Sequence, residues 1–408
     1  MKSWIAMALA FAAGAAAAEP RARDLGVPFE GTPGPLNAIT DVAGVEVGHT
    51  TLIRGSGKLV VGQGPVRTGV TAVLPRGRSS TTPVFGGWFT LNAAGEMTGT
   101  TWLEERGLID GPILITNTHS VGVARDAAVK WMVASGWDAL WHAPIATETY
   151  DGVLNDINGF HVEQRHALAA LDNARGGAVS EGAVGGGTGM ICNGFKGGIG
   201  TASRKLPDDL GGHTVGVLVQ CNYGNRRSLR IAGAPVGAEL QQTDPICYAA
   251  PAAAGEKRRW PFPDCTGRPT AQADEPKRPD GSIIIIVATD APLLPHQLKR
   301  LAKRPSLGLG RLGAVASDGS GDIFLAFSTA NPNLESVHKS PPKDVRMMSN
   351  DWLTPLFEAV TQATEEAVVN AMVAAQTVEG ADGVRVPRLS HQELRSVLAK
   401  YNRLAPTP

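Results

Sequence analysis

Apolar residues along this chain fall into short dense runs parted by Gly- and Pro-rich polar stretches, the pattern of an α/β protein with covered strands. The densest run is Ile283-Ile284-Ile285-Ile286-Val287-Ala288, which predicts a strand buried on both faces and continuing to Thr289. Gly69 to Leu74 closed by Pro75, Ile113 to Thr118, and Thr214 to Gln220 read as further strands, the last delivering Asn222 and Tyr223. Asn37 to Val42, followed by Val45, Val47 and His49 in alternation, reads as strand, turn, strand. Pro83 to Gly99 reads as a loop, because Gly recurs through it. Ala314 to Ser317 and Ile323 to Ser328 read as a hairpin around Asp318-Gly319-Ser320-Gly321.

Helical spacing covers Val121 to Ser135 and Val162 to Ala174. Pro295 begins a helix through Leu298 and Leu301, and Thr354-Pro355 begins a long one, by the first-turn preference of Pro. In that long helix Ala359, Ala363, Ala367 and Ala371 recur every four, a stripe suited to close packing on a sheet or helix. Ser390 with Glu393 forms a capping box for the last helix. Glu148 to Gly159 is a polar loop dense in Asp and Asn, and residues 245–281 form a long stretch without periodicity. Loops of that length are more often functional or disordered than structural.

Length admits one large α/β domain or two smaller ones. Residues 1–18 read as a signal peptide: Lys2 precedes an apolar run from Trp4 to Ala18, with small residues before Glu19. The expected location is periplasmic or secreted. Basic and acidic residues balance at 38 each, so charge gives no footprint for nucleic acid or a membrane surface. Of the four Cys, Cys192 and Cys221 lie in Gly-rich or apolar surroundings and read as buried thiols. Cys247 and Cys265 flank a Pro-rich segment and, in an oxidising compartment, read as a disulfide on an exposed loop.

Chemistry concentrates where the polar stretch meets the isoleucine strand, at Asp280-Gly281-Ser282. A hydroxyl placed at the first residue of a rigid strand, after a Gly, is poised to attack the peptide bond that precedes it. Cleavage there would leave an N-terminal serine carrying nucleophile and amine together. The tripeptide also opens ordinary strands and recurs at Asp318-Gly319-Ser320, so it does not decide alone. His161 and His166 lack metal spacing, no Gly-x-Ser-x-Gly elbow occurs, and Gly185 to Gly189 lacks the Lys-Ser/Thr of a phosphate loop. Those glycines serve close backbone packing, with Thr188 a secondary nucleophile candidate.

Taken in order, Asn37 to His49, Thr71 to Gly77, Asn92 to Gly99, Glu148 to Gly159, Gly185 to Arg204, Val215 to Tyr223, Gly281 to Lys299 and Ser317 to Asn331 make a specific signature. On it, the chain resembles the L-aminopeptidase/D-amidase/D-esterase and β-peptidyl aminopeptidase family, the DmpA type. The resemblance implies an αββα sandwich like that of Ntn hydrolases. It also implies self-cleavage between Gly281 and Ser282 into an α chain (19–281) and a β chain (282–408), and assembly of αβ units as a homotetramer.

By the same resemblance, Ser282 is the nucleophile, and Ser320 and Asp322 assist proton transfer or hold the new amine. Asp322 is one methylene shorter than the Glu of some relatives. Asn222 is implied as the side-chain donor of the oxyanion hole, and Glu148 and Tyr150 as binders of the substrate ammonium. The implied substrates are small peptides or amino-acyl amides of L-, D- or β-amino residues, and no metal or organic cofactor is needed. Two alternatives stay open: an acyltransferase like ornithine acetyltransferase, whose Thr is absent here, and an exported binding protein that never processes.

Overall fold

The computed structural model of the protein describes residues 20–252, 255, 257–266, 281–335 and 344–405. The run Trp4 to Ala18 and most of the polar stretch before Gly281 lie outside them. One sheet runs in the order β1 (Glu46–Arg54), β2 (Val66–Leu74), β5 (Ile113–Asn117), β6 (Ile145–Thr149). A second has the order β4 (Leu108–Ile109), β3 (Val84–Ala93), β13 (Gly321–Ser328), β12 (Ser282–Thr289), β10 (Thr214–Asn222), β9 (Gly198–Lys205). Two small ribbons join β7 (Ile191–Cys192) to β8 (Phe195–Lys196), and β11 (Cys247–Tyr248) to β15 (Val384–Val386) and β14 (Val378–Glu379).

The isoleucine strand explains the layering. Alternate residues of a strand face opposite ways, so Ile283, Ile285 and Val287 enter one core and Ile284, Ile286 and Ala288 another. The first core contains Ala363, Ala367 and Val368 of α7 (Thr354–Val373), with Leu298 of α5 (Pro295–Ala302) and Leu309 of α6 (Pro305–Arg311). The second lies between the sheets and includes Val73, Ile113, Ile115 and Ile145. On the far side of the first sheet, α2 (Val121–Ala134) and α3 (Gln164–Asp172) pack Ala124, Ala128 and Leu171 against Val70, Ala72 and Leu114. The architecture is therefore an αββα sandwich. The short α1 (Thr100–Arg106) precedes β4, and one turn, α4 (Val236–Glu239), packs on α8 (His391–Lys400).

The Ala stripe of α7 does what its spacing implies: a Cβ on Gly200 of β9 would lie 2.0 Å from the Ala367 carbonyl oxygen. The Ser390 hydroxyl caps α8 by accepting from the Glu393 amide.

Four readings of the pattern are corrected. Val84 to Ala93 is a strand, and its glycines permit contact rather than flexibility: side chains at Gly86 and Gly87 would strike Ile109 and the Lys299 backbone of α5. Ile39–Asp41 is a 3₁₀ turn, because the Asp41 carboxylate accepts from the Leu36 and Ala38 amides and the Ser203 hydroxyl. No hairpin forms at Ala314 to Ser328, since β13 inserts between a parallel neighbour, β12, and antiparallel β3. Cys192 and Cys221 are buried but form a disulfide, joining β7 to the end of β10. Cys247 and Cys265 are paired as expected, although Cys247 is buried and Tyr248 and Phe262 join a small core with Ile191 and Val153.

Candidate active site

Ser282 opens β12 between two neighbours, opposite Asn222 of β10 and Gly321 of β13. Its hydroxyl receives the Gly321 amide at 3.3 Å. One residue before Gly321, the Ser320 hydroxyl donates to Asp322 Oδ1 at 2.7 Å. Burial pushes the Asp322 carboxyl up to about 6, held from going further by that hydroxyl and by the Ile283 amide. Ser320 and Asp322 thus flank Gly321, the direct parallel partner of Ser282, because two parallel strands start side by side, and each of the three is at most 5% exposed.

Gly281 contributes space. It is absent from the positive-φ positions, so the left-handed region is not what requires glycine there. A Cβ would lie 1.6 Å from the Asn222 carbonyl oxygen and 2.9 Å from Tyr223 Cα. The bond before Ser282 is consequently pressed against the end of β10.

Asn222 is oriented at both ends of its carboxamide. Oδ1 accepts from the Ile191 amide at 2.7 Å and Nδ2 donates to the Tyr150 carbonyl at 2.8 Å. An amide nitrogen carries two hydrogens, so one remains for an oxygen developing negative charge beside Ser282. Tyr150 enters through that carbonyl, while its half-buried ring packs on the core containing Phe262 and Tyr248. Burial raises the Tyr150 hydroxyl above its ordinary value, opposed by the charge of Arg259.

Glu148 is not a loop charge. It sits on β6 in the opposite sheet, 3% exposed. Its carboxylate accepts from Thr118 Oγ1 at 2.5 Å and the Glu96 amide at 3.1 Å. Burial raises it above the usual carboxylate range, and no salt-bridge partner accompanies it among the described residues. A Cβ on Gly95 would lie 3.1 Å from Glu148 Oε1 and 3.4 Å from Gly321 Cα, so this anion and the Ser282 strand end converge on one small space. Such a site offers a hydroxyl nucleophile, an acid–base pair, a carboxamide donor and a buried anion suited to a cation.

Thr188 is not part of it: its hydroxyl donates to the Gly185 carbonyl at 2.6 Å, closing a buried 3₁₀ turn. Two buried groups beside the site escaped the sequence reading. Asp151, wholly buried and raised to about 7 by burial, accepts from Asn155 at 3.0 Å. Lys196, lowered to about 7 by burial, donates to three carbonyls. The available signal for Lys196 was a lone charge within the Gly-rich, apolar run Cys192 to Gly200.

The family model described as "Peptidase family S58" matches residues 37–386. The chain is 61% identical over 396 residues to the beta-peptidyl aminopeptidase BapA of Sphingosinicella microcystinivorans, covering 96% of each. Among solved structures it resembles the L-aminopeptidase D-Ala-esterase/amidase of Ochrobactrum anthropi, described as a prototype for the serine aminopeptidases and a variant of the Ntn hydrolase fold. The TM-score is 0.82 at 47% identity, covering 95% of this chain and 100% of that one. A Burkholderia sp. beta-aminopeptidase matches with TM-score 0.80 at 46% identity, over 95% of this chain and 100% of the other. None of these relatives is an acyltransferase or a binding protein. The chain therefore belongs to peptidase family S58 and is a serine-type aminopeptidase with the DmpA variant of the N-terminal-nucleophile hydrolase fold.

Proposed function

We propose that the protein is an exported, self-processing aminopeptidase that cuts its own Gly281–Ser282 bond and then releases N-terminal residues, β-amino residues among them. The observation that carries this is that Asn222 is the direct cross-strand partner of Ser282, whose other neighbour, Gly321, stands between Ser320 and Asp322 and close to the buried carboxylate of Glu148. The β-peptidyl preference is supported by the name of the 61% identical relative. Export is supported by the apolar run Trp4 to Ala18, and assembly as a homotetramer by family resemblance.

In processing, Ser282 Oγ adds to the Gly281 carbonyl, the carbon–nitrogen bond breaks, and an ester joins the two residues. Water hydrolyses that ester, leaving a Gly281 carboxylate and a free Ser282 amine. The Asp322 carboxylate, hydrogen-bonded to Ser320, receives and returns the proton. During turnover the freed amine, with an ordinary pKa near ~8, accepts the Oγ proton as Oγ attacks the substrate carbonyl. The remaining Asn222 N–H stabilises the oxyanion, and Glu148 binds the substrate ammonium, a fit of cation to buried anion. The departing amine takes the proton, and water then releases the acyl group from Ser282.

Purified protein given β-alanyl, L-α-aminoacyl and D-α-aminoacyl p-nitroanilides is expected to hydrolyse the β-alanyl compound, and Ser282→Ala to hydrolyse none. Failure on every substrate, or an active Ser282→Ala, would rule this reading out.

A further inference from the structure

Lys196 is a wholly buried amine with no carboxylate within ion-pair distance among the described residues; burial lowers it to about 7, while its three carbonyl acceptors favour the ammonium, the form with three hydrogens. A buried charge of this kind is costly unless its hydrogens are all engaged. Here three are matched by three main-chain carbonyls: Met190 at 2.7 Å, Gly197 at 2.7 Å and Gly187 at 3.2 Å. The Met190 oxygen also receives the Gly197 amide, so it is doubly held.

The Met190 carbonyl and the Ile191 N–H belong to one peptide group. That same N–H donates to Asn222 Oδ1, and Asn222 Nδ2 donates to the Tyr150 carbonyl. A continuous chain of hydrogen bonds therefore runs from the Lys196 ammonium, through the Met190–Ile191 peptide, to the carboxamide beside Ser282. Hydrogen bonds in series polarise one another, and a carbonyl bonded to a cation makes its own N–H a stronger donor. The Cys192–Cys221 disulfide joins the residue after Ile191 to the residue before Asn222, so the Ile191–Asn222 contact is covalently flanked.

We infer that Lys196 is a positioning residue for the oxyanion donor. It anchors the peptide that fixes which end of Asn222 faces the reacting carbonyl, and its charge strengthens the remaining Asn222 N–H through the chain. This rests on the reading of Asn222 given above. Lys196 touches neither substrate nor Ser282, so its effect must pass through Asn222. That distinguishes it from a lysine that merely satisfies the carbonyls of a glycine-rich turn.

The test is a double-mutant cycle on kcat and KM for an aminoacyl p-nitroanilide, normalised to the fraction of processed chain, with Lys196→Met, Asn222→Ala and the pair. Asn222→Ala is expected to lower kcat by roughly 10²–10³-fold, as for an oxyanion donor. Lys196→Met is expected to lower kcat by about 10-fold with KM little changed, and the pair to be no worse than Asn222→Ala alone, since coupled residues do not add. Losses that multiply, or a Lys196→Met enzyme with wild-type kcat, overturn the inference. A wild-type kcat in Asn222→Ala would instead refute the underlying role of Asn222. Should Lys196→Met not fold, Lys196→Gln, which keeps two N–H donors without the charge, enters the same cycle and is held to the same outcomes.

Discussion

Asn222 and Ser282 are direct partners across the antiparallel β10–β12 ladder, and the Asn222 carbonyl occupies the place a side chain on residue 281 would need. Cross-strand partners project to the same face, so the carboxamide and the hydroxyl emerge together into the space between the sheets. The peptide bond before Ser282, the proposed site of cleavage, is wedged against the strand that carries Asn222, the proposed oxyanion donor.

That wedge makes Gly281→Ala a sharp probe. A Cβ 1.6 Å from an oxygen cannot be accommodated, so the Gly281 backbone must move away from Asn222. The variant is expected to accumulate as uncut precursor, with processing slowed at least ~10-fold, as misplacement of a reacting group by about 1 Å typically costs 10²-fold. Time-resolved denaturing gels check this; cleavage at the wild-type rate would contradict it.

Glu148 forms no salt bridge among the described residues, and the charge of His119 acts on it less than burial does. Glu148→Gln keeps the shape and the Thr118 contact but loses the charge, so substrates bearing a free amine should suffer. The expected loss is roughly 10–100-fold in kcat/KM, the size of a charge-assisted hydrogen bond, carried mostly by KM. Steady-state kinetics showing an unchanged KM would remove Glu148 from substrate binding.

Self-processing at Gly281–Ser282 should slow on the acid side through pH about 6. Burial raises Asp322 to that value, so above it the carboxylate is free to take up a proton through Ser320, and below it the protonated form is not. The Ser320 hydroxyl lowers this pKa; Ser320→Ala removes that influence and should move the acid limb of the precursor-cleavage rate to higher pH. A pH profile with an unmoved limb would show that Asp322 does not set it.

Asp151 predicts a stability effect of the opposite kind. Its carboxyl is raised to about 7 in the folded chain from an ordinary 3.8, so its contribution is complete below the ordinary value and is lost as pH rises through about 7. Asp151→Asn does not ionise. Its Tm should therefore fall less than that of wild type between about pH 4 and 7, measured by thermal unfolding across that range. Parallel Tm curves for the two proteins would contradict the assignment.

How much of this was legible depended on whether the signal was local. Four isoleucines in a row declare a strand covered on both faces, and β12 divides them between two cores. The Ala stripe likewise announced close packing, met by Gly200. By contrast β3 hid behind Gly86 and Gly87, whose purpose is contact with Ile109 and α5, elements distant in the chain. Glu148 looked like a loop charge because the polar residues after it outweighed the short strand Ile145–Thr149 before it. The Cys192–Cys221 link spans 29 residues and depends on β7 meeting the end of β10, a juxtaposition no local pattern encodes. Ser320 and Asp322 were found by family resemblance, but their place beside the start of β12 needed the parallel β12–β13 pairing in place of a hairpin.

The central claim is that one peptide bond is cut by the hydroxyl next to it. Intact mass and N-terminal sequencing of purified, active protein test it most directly. Two fragments are predicted, the smaller beginning Ser282-Ile283-Ile284, and one full-length species for Ser282→Ala. Active wild-type protein with a single mass spanning Gly281 and Ser282 would contradict it.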